Sequence, residues 1–170
     1  MTIKTRISFK EYVKLLFRLT YKKPMMKVIL CVALAMLTWI AGYYLHFLPL
    51  PQPTFYQYTT LFLITVAQPL VIYSTIWKNY HSGSHYKEPL EIEFLPKEIK
   101  MTGESFYTVL QWEKIYKVVE LQDWFLIYQN SLSAIIIPKK SFPPGKIESF
   151  KQLLRSIPDL NLHLTKKELR

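Results

Sequence analysis

Few side chains in this 170-residue chain could do chemistry, and none stands in a pattern that supports catalysis. His81 and His85 have the four-residue spacing of two metal ligands on a helix, but no third ligand lies nearby and Gly83 between them favours a linker. The four glycines are too dispersed to build a phosphate-binding loop, and no nucleophile-elbow or zinc-protease motif occurs. The sequence therefore predicts a protein that is not an enzyme and uses no cofactor or metal ion.

Two uncharged apolar stretches must instead organise the chain. They cover residues 28–48 and 55–77, and a six-residue connector with three prolines, residues 49–54, joins them. A helix of 21 residues, the length of the first stretch, extends roughly 32 Å, enough to cross a hydrocarbon core of about 30 Å. Neither stretch has a polar face, and Trp and Tyr residues lie toward their ends. This pattern predicts a transmembrane helical hairpin.

Basic residues are concentrated before the first apolar stretch. Residues 1–27 contain eight Lys or Arg residues and one Glu, a local charge of +7 within a total of +10. The positive-inside rule then places both termini in the cytoplasm and the proline-rich connector outside. Because anionic lipid at the cytoplasmic face accounts for this charge, nucleic acid is not needed as a partner.

A basic amphipathic helix is predicted within residues 1–27. Ser8 and Glu11 have the spacing of a capping box, and Pro24 marks the expected end. The helix would lie on the inner leaflet, and packing on the soluble domain is the alternative. The candidate contacts with anionic lipid are Lys10, Lys14, Arg18, Lys22, Lys23 and Lys27.

The second apolar stretch has a proline near its middle. Pro69 frees the carbonyl group of Thr65, and Gln68 or Thr38 could satisfy it. No Asp, Glu, Lys or Arg lies in either stretch, and two helices alone cannot enclose a pore. Gln68, Pro69 and Thr38 are therefore predicted to form a kink or an interhelical contact.

After a polar linker at residues 78–88, the pattern changes to that of β-strands. Apolar and polar residues alternate in the first of several short segments that are separated by turn residues, which predicts an antiparallel meander of the sandwich or barrel type. The predicted strands cover residues 90–95, 98–102, 105–112, 114–121, 124–129 and 132–137.

A single helix is predicted to close this domain. Residues 144–157 carry one apolar stripe, with Pro144 in the first turn and Pro158 just past the end. The domain would cover residues 89–160, followed by a charged tail at residues 161–170. Lys139, Lys140 and Lys146 surround the loop before the helix and are a candidate rim for a partner or for lipid, with a merely solvated surface as the alternative.

This order of elements resembles a pleckstrin-homology-like (PH-like) domain and, more specifically, the YcxB-like family of small bacterial membrane proteins. The resemblance implies an α+β membrane protein in the bacterial inner membrane, and it implies no activity, ligand or catalytic residue. It rests on the N-terminal helix, the paired apolar stretches and the segments Leu90–Phe94, Gly103–Ser105, Trp112–Glu120, Trp124–Tyr128 and Ala134–Phe142.

Two functions fit these expectations. The first is a docking or scaffolding module, in which the cytoplasmic PH-like domain contacts a protein partner or the membrane surface. The alternative is an accessory subunit of a transport or channel assembly, in which the two spans join a larger bundle. The protein partner is unknown in both cases, and a homo-oligomer is compatible with either.

Overall fold

The computed structural model describes residues 1–46, 49–82, 88–131 and 133–164, and the chain divides into two compact units. The helical unit comprises Ser8–Gly83, and the β unit comprises Met1–Ile7 together with Ser84–Arg170. The fold is α+β, with two long apolar helices followed by antiparallel strands and a C-terminal helix. The helical unit is thus an insertion within the sequence of the β unit.

The helical unit begins with α1 (Phe9–Lys22), whose start is fixed by its own sequence. Ser8 Oγ accepts a hydrogen bond from the Glu11 N–H at 3.4 Å, and the Glu11 carboxylate accepts one from the Ser8 N–H at 3.2 Å. The predicted capping box is therefore confirmed. Pro24 opens α2 (Pro24–Tyr44) at its first position, where the missing N–H needs no partner.

The second apolar helix contains a wider turn next to Pro69. It runs from α3 (Phe55–Phe62) through a π-helical segment (Leu63–Ala67) into α4 (Gln68–Ser82). In a regular α-helix the proline ring would clash with the carbonyl group of Thr65. Here the Gln68 N–H donates to the carbonyl oxygen of Leu63, five residues earlier, and the wider turn makes room for the ring.

The two apolar helices form an antiparallel hairpin. Tyr44, at the end of α2, lies 2.9 Å from Tyr58 between hydroxyl oxygens, and Gln68 Nε2 lies 3.2 Å from Met26 Sδ near the start of α2. Both helices are long and apolar enough to cross a membrane. In each helix, only 6% of the most apolar stretch of 18 residues is buried. They are therefore not buried core helices.

Both helices extend further than predicted on the side where the basic residues lie. α2 starts before residue 28 and includes Lys27 in its first turn. α4 continues to Ser82, so the linker predicted at residues 78–88 begins too early. The physical reason is that no Gly or Pro interrupts the helix before Gly83, and Lys and Asn are tolerated in a helical turn.

Among the residues that the structure describes, the β unit contains eight strands in two four-stranded sheets. The strands are β1 (Thr2–Thr5), β2 (Leu90–Phe94), β3 (Glu98–Thr102), β4 (Tyr107–Gln111), β5 (Lys117–Glu120), β6 (Trp124–Tyr128), β7 (Ala134–Pro138) and β8 (Leu162–His163). The first sheet has the order β1-β2-β3-β4 and the second β7-β6-β5-β8. All neighbours are antiparallel except β5 and β8, which pair in parallel. The predicted strands pair with one another antiparallel as expected, and the parallel partner β8 lies in the segment that was predicted as a charged tail.

Strand β1 is the main difference from the sequence-based prediction. The sequence predicts a basic amphipathic helix at the membrane interface within residues 1–27. In the structure the first of these residues, Thr2–Thr5, form an edge strand instead. Thr2 lies opposite Glu93, and Thr5 lies opposite Leu90. The side chains of Ile3 and Thr5 are buried and those of Thr2 and Lys4 are exposed, the alternation of a half-buried strand. The β unit therefore includes residues 1–7 as well as the segment after the helical unit.

All six predicted strands are present as β2–β7, and the C-terminal helix is present as α5 (Lys146–Ser156). Pro144 was expected in its first turn, but the helix begins later, after Gly145 at φ 77°. This left-handed conformation suits glycine and reorients the chain before the helix starts. Pro158 follows the helix end, as predicted.

The hydrophobic core lies among the two sheets and α5. Phe150 of α5 is fully buried, and its ring centroid lies 4.6 Å from Phe94, 5.1 Å from Phe125 and 5.0 Å from Phe142. Trp112 is also buried and donates its indole N–H to the carbonyl oxygen of Leu95 at 2.8 Å. These rings attach α5 to the ends of the strands where β2 finishes and β3 starts.

A buried ion-pair network supplements this aromatic core. Glu120, at the end of β5, has a side chain only 2% exposed and lies 2.7 Å from both Lys139 Nζ and Lys151 Nζ. Glu148 lies 3.7 Å from Lys151 on the exposed side. Because a buried charge is costly without partners, one carboxylate holds the segment after β7 and helix α5 to the second sheet.

We expect Glu120→Gln to lower the free energy of unfolding of the β unit by about 3 kcal/mol, because two largely buried ammonium groups would lose their counter-charge. The exposed Glu113→Gln is the matched control and should change stability by no more than about 0.5 kcal/mol. Limited proteolysis of the purified full-length protein across a urea series measures both. Equal midpoints for the two variants would contradict a structural role for this network.

Candidate functional site

The basic face of α1 is the first candidate surface. Lys10, Lys14, Arg18 and Lys22 recur every four residues and are all exposed, whereas Tyr12 and Leu15 on the other side of the helix are buried. Lys23 and Lys27 are also exposed and continue the basic region into α2. The six predicted lipid-contact residues are therefore all accessible to an anionic surface.

The apolar face of α1 packs against α4 through a row of aromatic rings. The Phe9 centroid lies 6.1 Å from Tyr73 and 5.2 Å from Tyr80, and Tyr12 lies 5.5 Å from Tyr80. Trp77 and Tyr73 are still about half exposed. Aromatic and basic residues thus occur together at this end of the helical unit, the combination typical of membrane–water interfaces.

The polar residues of the apolar helices make separate contacts. Thr38 donates its hydroxyl group to the carbonyl oxygen of Ala35 in its own helix at 2.9 Å. Gln68 is the residue that reaches the other helix, through Met26, and its Oε1 atom is buried without a hydrogen-bond partner. The interhelical contact therefore involves Gln68 and Met26, next to the π-helical segment.

The three lysines of the predicted rim have different environments. Lys139 is mostly buried and forms an ion pair with Glu120. Its Nζ atom lies 5.2 Å from the centroid of the Phe125 ring. Lys140 and Lys146 are exposed. Only these two present their charges at the surface, because the positive charge of Lys139 is balanced inside the domain. Sequence reasoning missed this because Glu120 follows the alternating pattern of a solvated strand face.

A cleft in the β unit is the second candidate surface, and no sequence signal identified it. It has a volume of about 320 Å³. Thr108, Gln129 and Ser133 supply hydroxyl and amide groups. Its apolar lining residues are Ile7, Leu90, Met101, Leu110, Ile135 and Ile136. The cleft is therefore suited to an apolar group flanked by a few hydrogen-bonding atoms.

Charged groups lie instead on the outer face of the first sheet. Lys100 Nζ is 3.3 Å from Glu98, whose carboxylate raises the pKa of the Lys100 ammonium. Lys4 pairs more loosely with Glu91 at 4.0 Å on the same face. These exposed pairs add little stability, and they keep that face hydrated.

Metal chemistry finds no support in the described part of the chain. No group of three His, Cys, Asp or Glu side chains there could hold a metal ion. His81 is helical and its Nδ1 lies 2.8 Å from the carbonyl oxygen of Trp77, while His85 lies outside the described residues.

We expect neutralisation of Lys10, Lys14 and Lys22 to glutamine to reduce the preference of the reconstituted full-length protein for anionic over zwitterionic lipid. Each lysine should contribute about 1 kcal/mol near the surface, and added salt should weaken the preference. Energy transfer from the protein's tryptophans to labelled lipids measures it. The matched control neutralises the exposed Lys97, Lys114 and Arg155 of the β unit. An equal loss in both triple variants would contradict a specific role for α1.

The comparisons with known proteins give one match. No curated protein and no solved structure matches the chain. The family model of YcxB-like proteins matches residues 94–154, from the end of β2 to the last turns of α5. The match covers most of the β unit, including Glu120 and Lys151, and leaves out β1 and the helical unit. Over residues 94–154 the chain is similar to YcxB-like proteins, which confirms the family resemblance predicted from its sequence.

Proposed function

We propose that this chain is a non-enzymatic integral protein of the bacterial inner membrane, whose cytoplasmic β unit docks a protein partner or the membrane surface. The observation that carries the proposal is the uncharged cleft of about 320 Å³ in a β unit joined to two helices of membrane-spanning length. Its lining offers apolar contact and a few hydrogen bonds, and it contains no acid, base or thiol that could act on a bound molecule.

The strand order supports a PH-like assignment. Four strands form the first sheet, the next three form most of the second, and a C-terminal helix packs on the core between them. The helical unit occupies the connection between β1 and β2. A fold does not fix a function, so the docking role rests on the cleft and not on this likeness.

The pairing of β1 with β2 supports the hairpin topology independently of charge. Residues 2–5 and 90–93 are hydrogen-bonded neighbours, so both must lie on the same side of any membrane that the helices cross. The chain between them must therefore cross an even number of times. The exposed lysines of α1 favour the cytoplasm for that side.

We expect a photo-crosslinking amino acid at Gln129, in the cleft, to capture a protein or a lipid in native membranes. The same amino acid at the exposed Gln152 on α5 is the matched control and should capture neither. Mass spectrometry of the adducts separates a protein partner from the membrane surface. Identical adducts at both positions, or none at Gln129, would remove the support for docking at the cleft.

We also expect Gln52→Cys, in a Cys31→Ala background, to react with a membrane-impermeant maleimide in intact cells. Gln52 lies in the connector and is exposed. Gln152→Cys in the same background should react only after the cells are opened, because α5 would lie in the cytoplasm. The reverse pattern of labelling would overturn the proposed orientation.

The alternative, an accessory subunit of a transport or channel assembly, is favoured by one observation. Gln68 Oε1 is buried without a hydrogen-bond partner beside a π-helical segment, and such segments are frequent at functional sites. If this alternative holds, a photo-crosslinking amino acid placed on the two apolar helices would capture another membrane-spanning protein, and one placed in the cleft would not.

A further inference from the structure

The four outer strands of the two sheets differ in how their free edges are protected. Unpaired edges attract other strands, and proteins discourage this with short strands, charges and prolines. β1 has four residues and carries Lys4, and β8 has only two residues. β7 ends at Pro138, and the exposed Lys140 follows shortly after it. Three of the edges therefore carry a recognisable safeguard.

β4 has none of these safeguards. Residues 105–112 contain no charge, no glycine and no proline. No strand in the described part of the chain pairs with the outer edge of β4. Tyr107 is 62% exposed and Val109 is 41% exposed on the outer face. The edge is thus both apolar and accessible.

The backbone groups on this edge can be identified from the register with β3. The Trp112 N–H donates to the carbonyl oxygen of Lys97 at one end of the β3–β4 pair, and the Gly103 N–H donates to that of Phe106 at the other end. Between these two ends, hydrogen-bonded residue pairs alternate with pairs that are not hydrogen-bonded. Thr108 and Leu110 consequently direct their backbone groups toward β3. The N–H and C=O groups of Tyr107, Val109 and Gln111 point away from the sheet.

We propose that β4 pairs antiparallel with β4 of a second copy of this chain, about a two-fold axis at Val109. Val109 would then face Val109 of the second copy, and Tyr107 would face Gln111, with each pair exchanging two backbone hydrogen bonds. On the inner face, Thr108 would lie opposite Leu110 of the second copy. The two first sheets would merge into one sheet of eight strands.

The choice of a second copy as the occupant follows from charge. An antiparallel arrangement brings residues 105–112 of both copies together. This segment has no charged side chain, so it would not be repelled by the same segment of the second copy. The nearest lysine in the sheet, Lys100, lies on β3, opposite Val109. Across the pair, Lys100 would be separated from its counterpart by three strand spacings, about 14 Å, which is beyond the Debye length of about 8 Å. The interface is formed by the backbone edge of β4, and of its residues Thr108 and Leu110 also line the cleft.

Disulfide crosslinking of the full-length protein in native membranes tests the proposal. In a Cys31→Ala background, Val109→Cys places two cysteines with Cα atoms about 5.5 Å apart, within disulfide range. Lys100→Cys is the matched control, because a separation of about 14 Å exceeds that range. We expect mild oxidation to convert Val109→Cys, and not Lys100→Cys, into a disulfide-linked dimer.

A second variant tests the pairing without a new cysteine. Val109→Pro removes an N–H that β3 does not use, so the sheet should persist while the dimer is lost. Light scattering of the solubilised protein should report a monomer for Val109→Pro and a dimer for Val109→Thr. If Val109→Pro fails to fold, the cysteine result decides alone. No dimer from Val109→Cys, equal dimer from Lys100→Cys, or crosslinking only to another protein would each overturn the proposal.

Discussion

The pairing of β1 with β2 is the constraint on which the rest of the structure depends. Four residues at the start of the chain complete a sheet whose next strand begins at Leu90, and everything between them forms a separate helical unit. Thr5 and Leu90 are opposite each other, so the chain leaves and re-enters the sheet at the same end of two adjacent strands.

Much of the fold could be predicted from local patterns. Strands β2–β7 were identifiable as short apolar or alternating segments between turn residues, and α1 because Ser8 and Glu11 cap it. β1 was not identifiable in this way. It is only four residues long, and the strand it pairs with lies 85 residues further along the chain, a separation that no periodicity reveals.

The surfaces were harder to predict than the elements. The six residues predicted to contact anionic lipid are exposed as expected, and for the four in α1 this follows because an amphipathic helix fixes its faces by spacing alone. The lysines near α5 depended on tertiary structure, because Glu120 draws Lys139 and Lys151 into the domain. The cleft combines residues from four strands, from the turn between β6 and β7 and from Ile7, so it exists only after the sheets have assembled. Local sequence carries no record of such a site.

The π-helical segment has a consequence for the direction of the residues that follow it. One extra residue in a helical turn rotates all later side chains by about 100° relative to a regular α-helix. The apolar surface of α3 that packs against α2 and the aromatic surface of α4 that packs against α1 therefore lie at different angles around the helix axis than they would in a regular α-helix. Without the wider turn, Tyr73, Tyr80 and His81 would point away from Phe9. The π-helical segment Leu63–Ala67 thus changes the direction of the side chains that follow it, so that one continuous helix packs against α2 with its first part and against α1 with its second part.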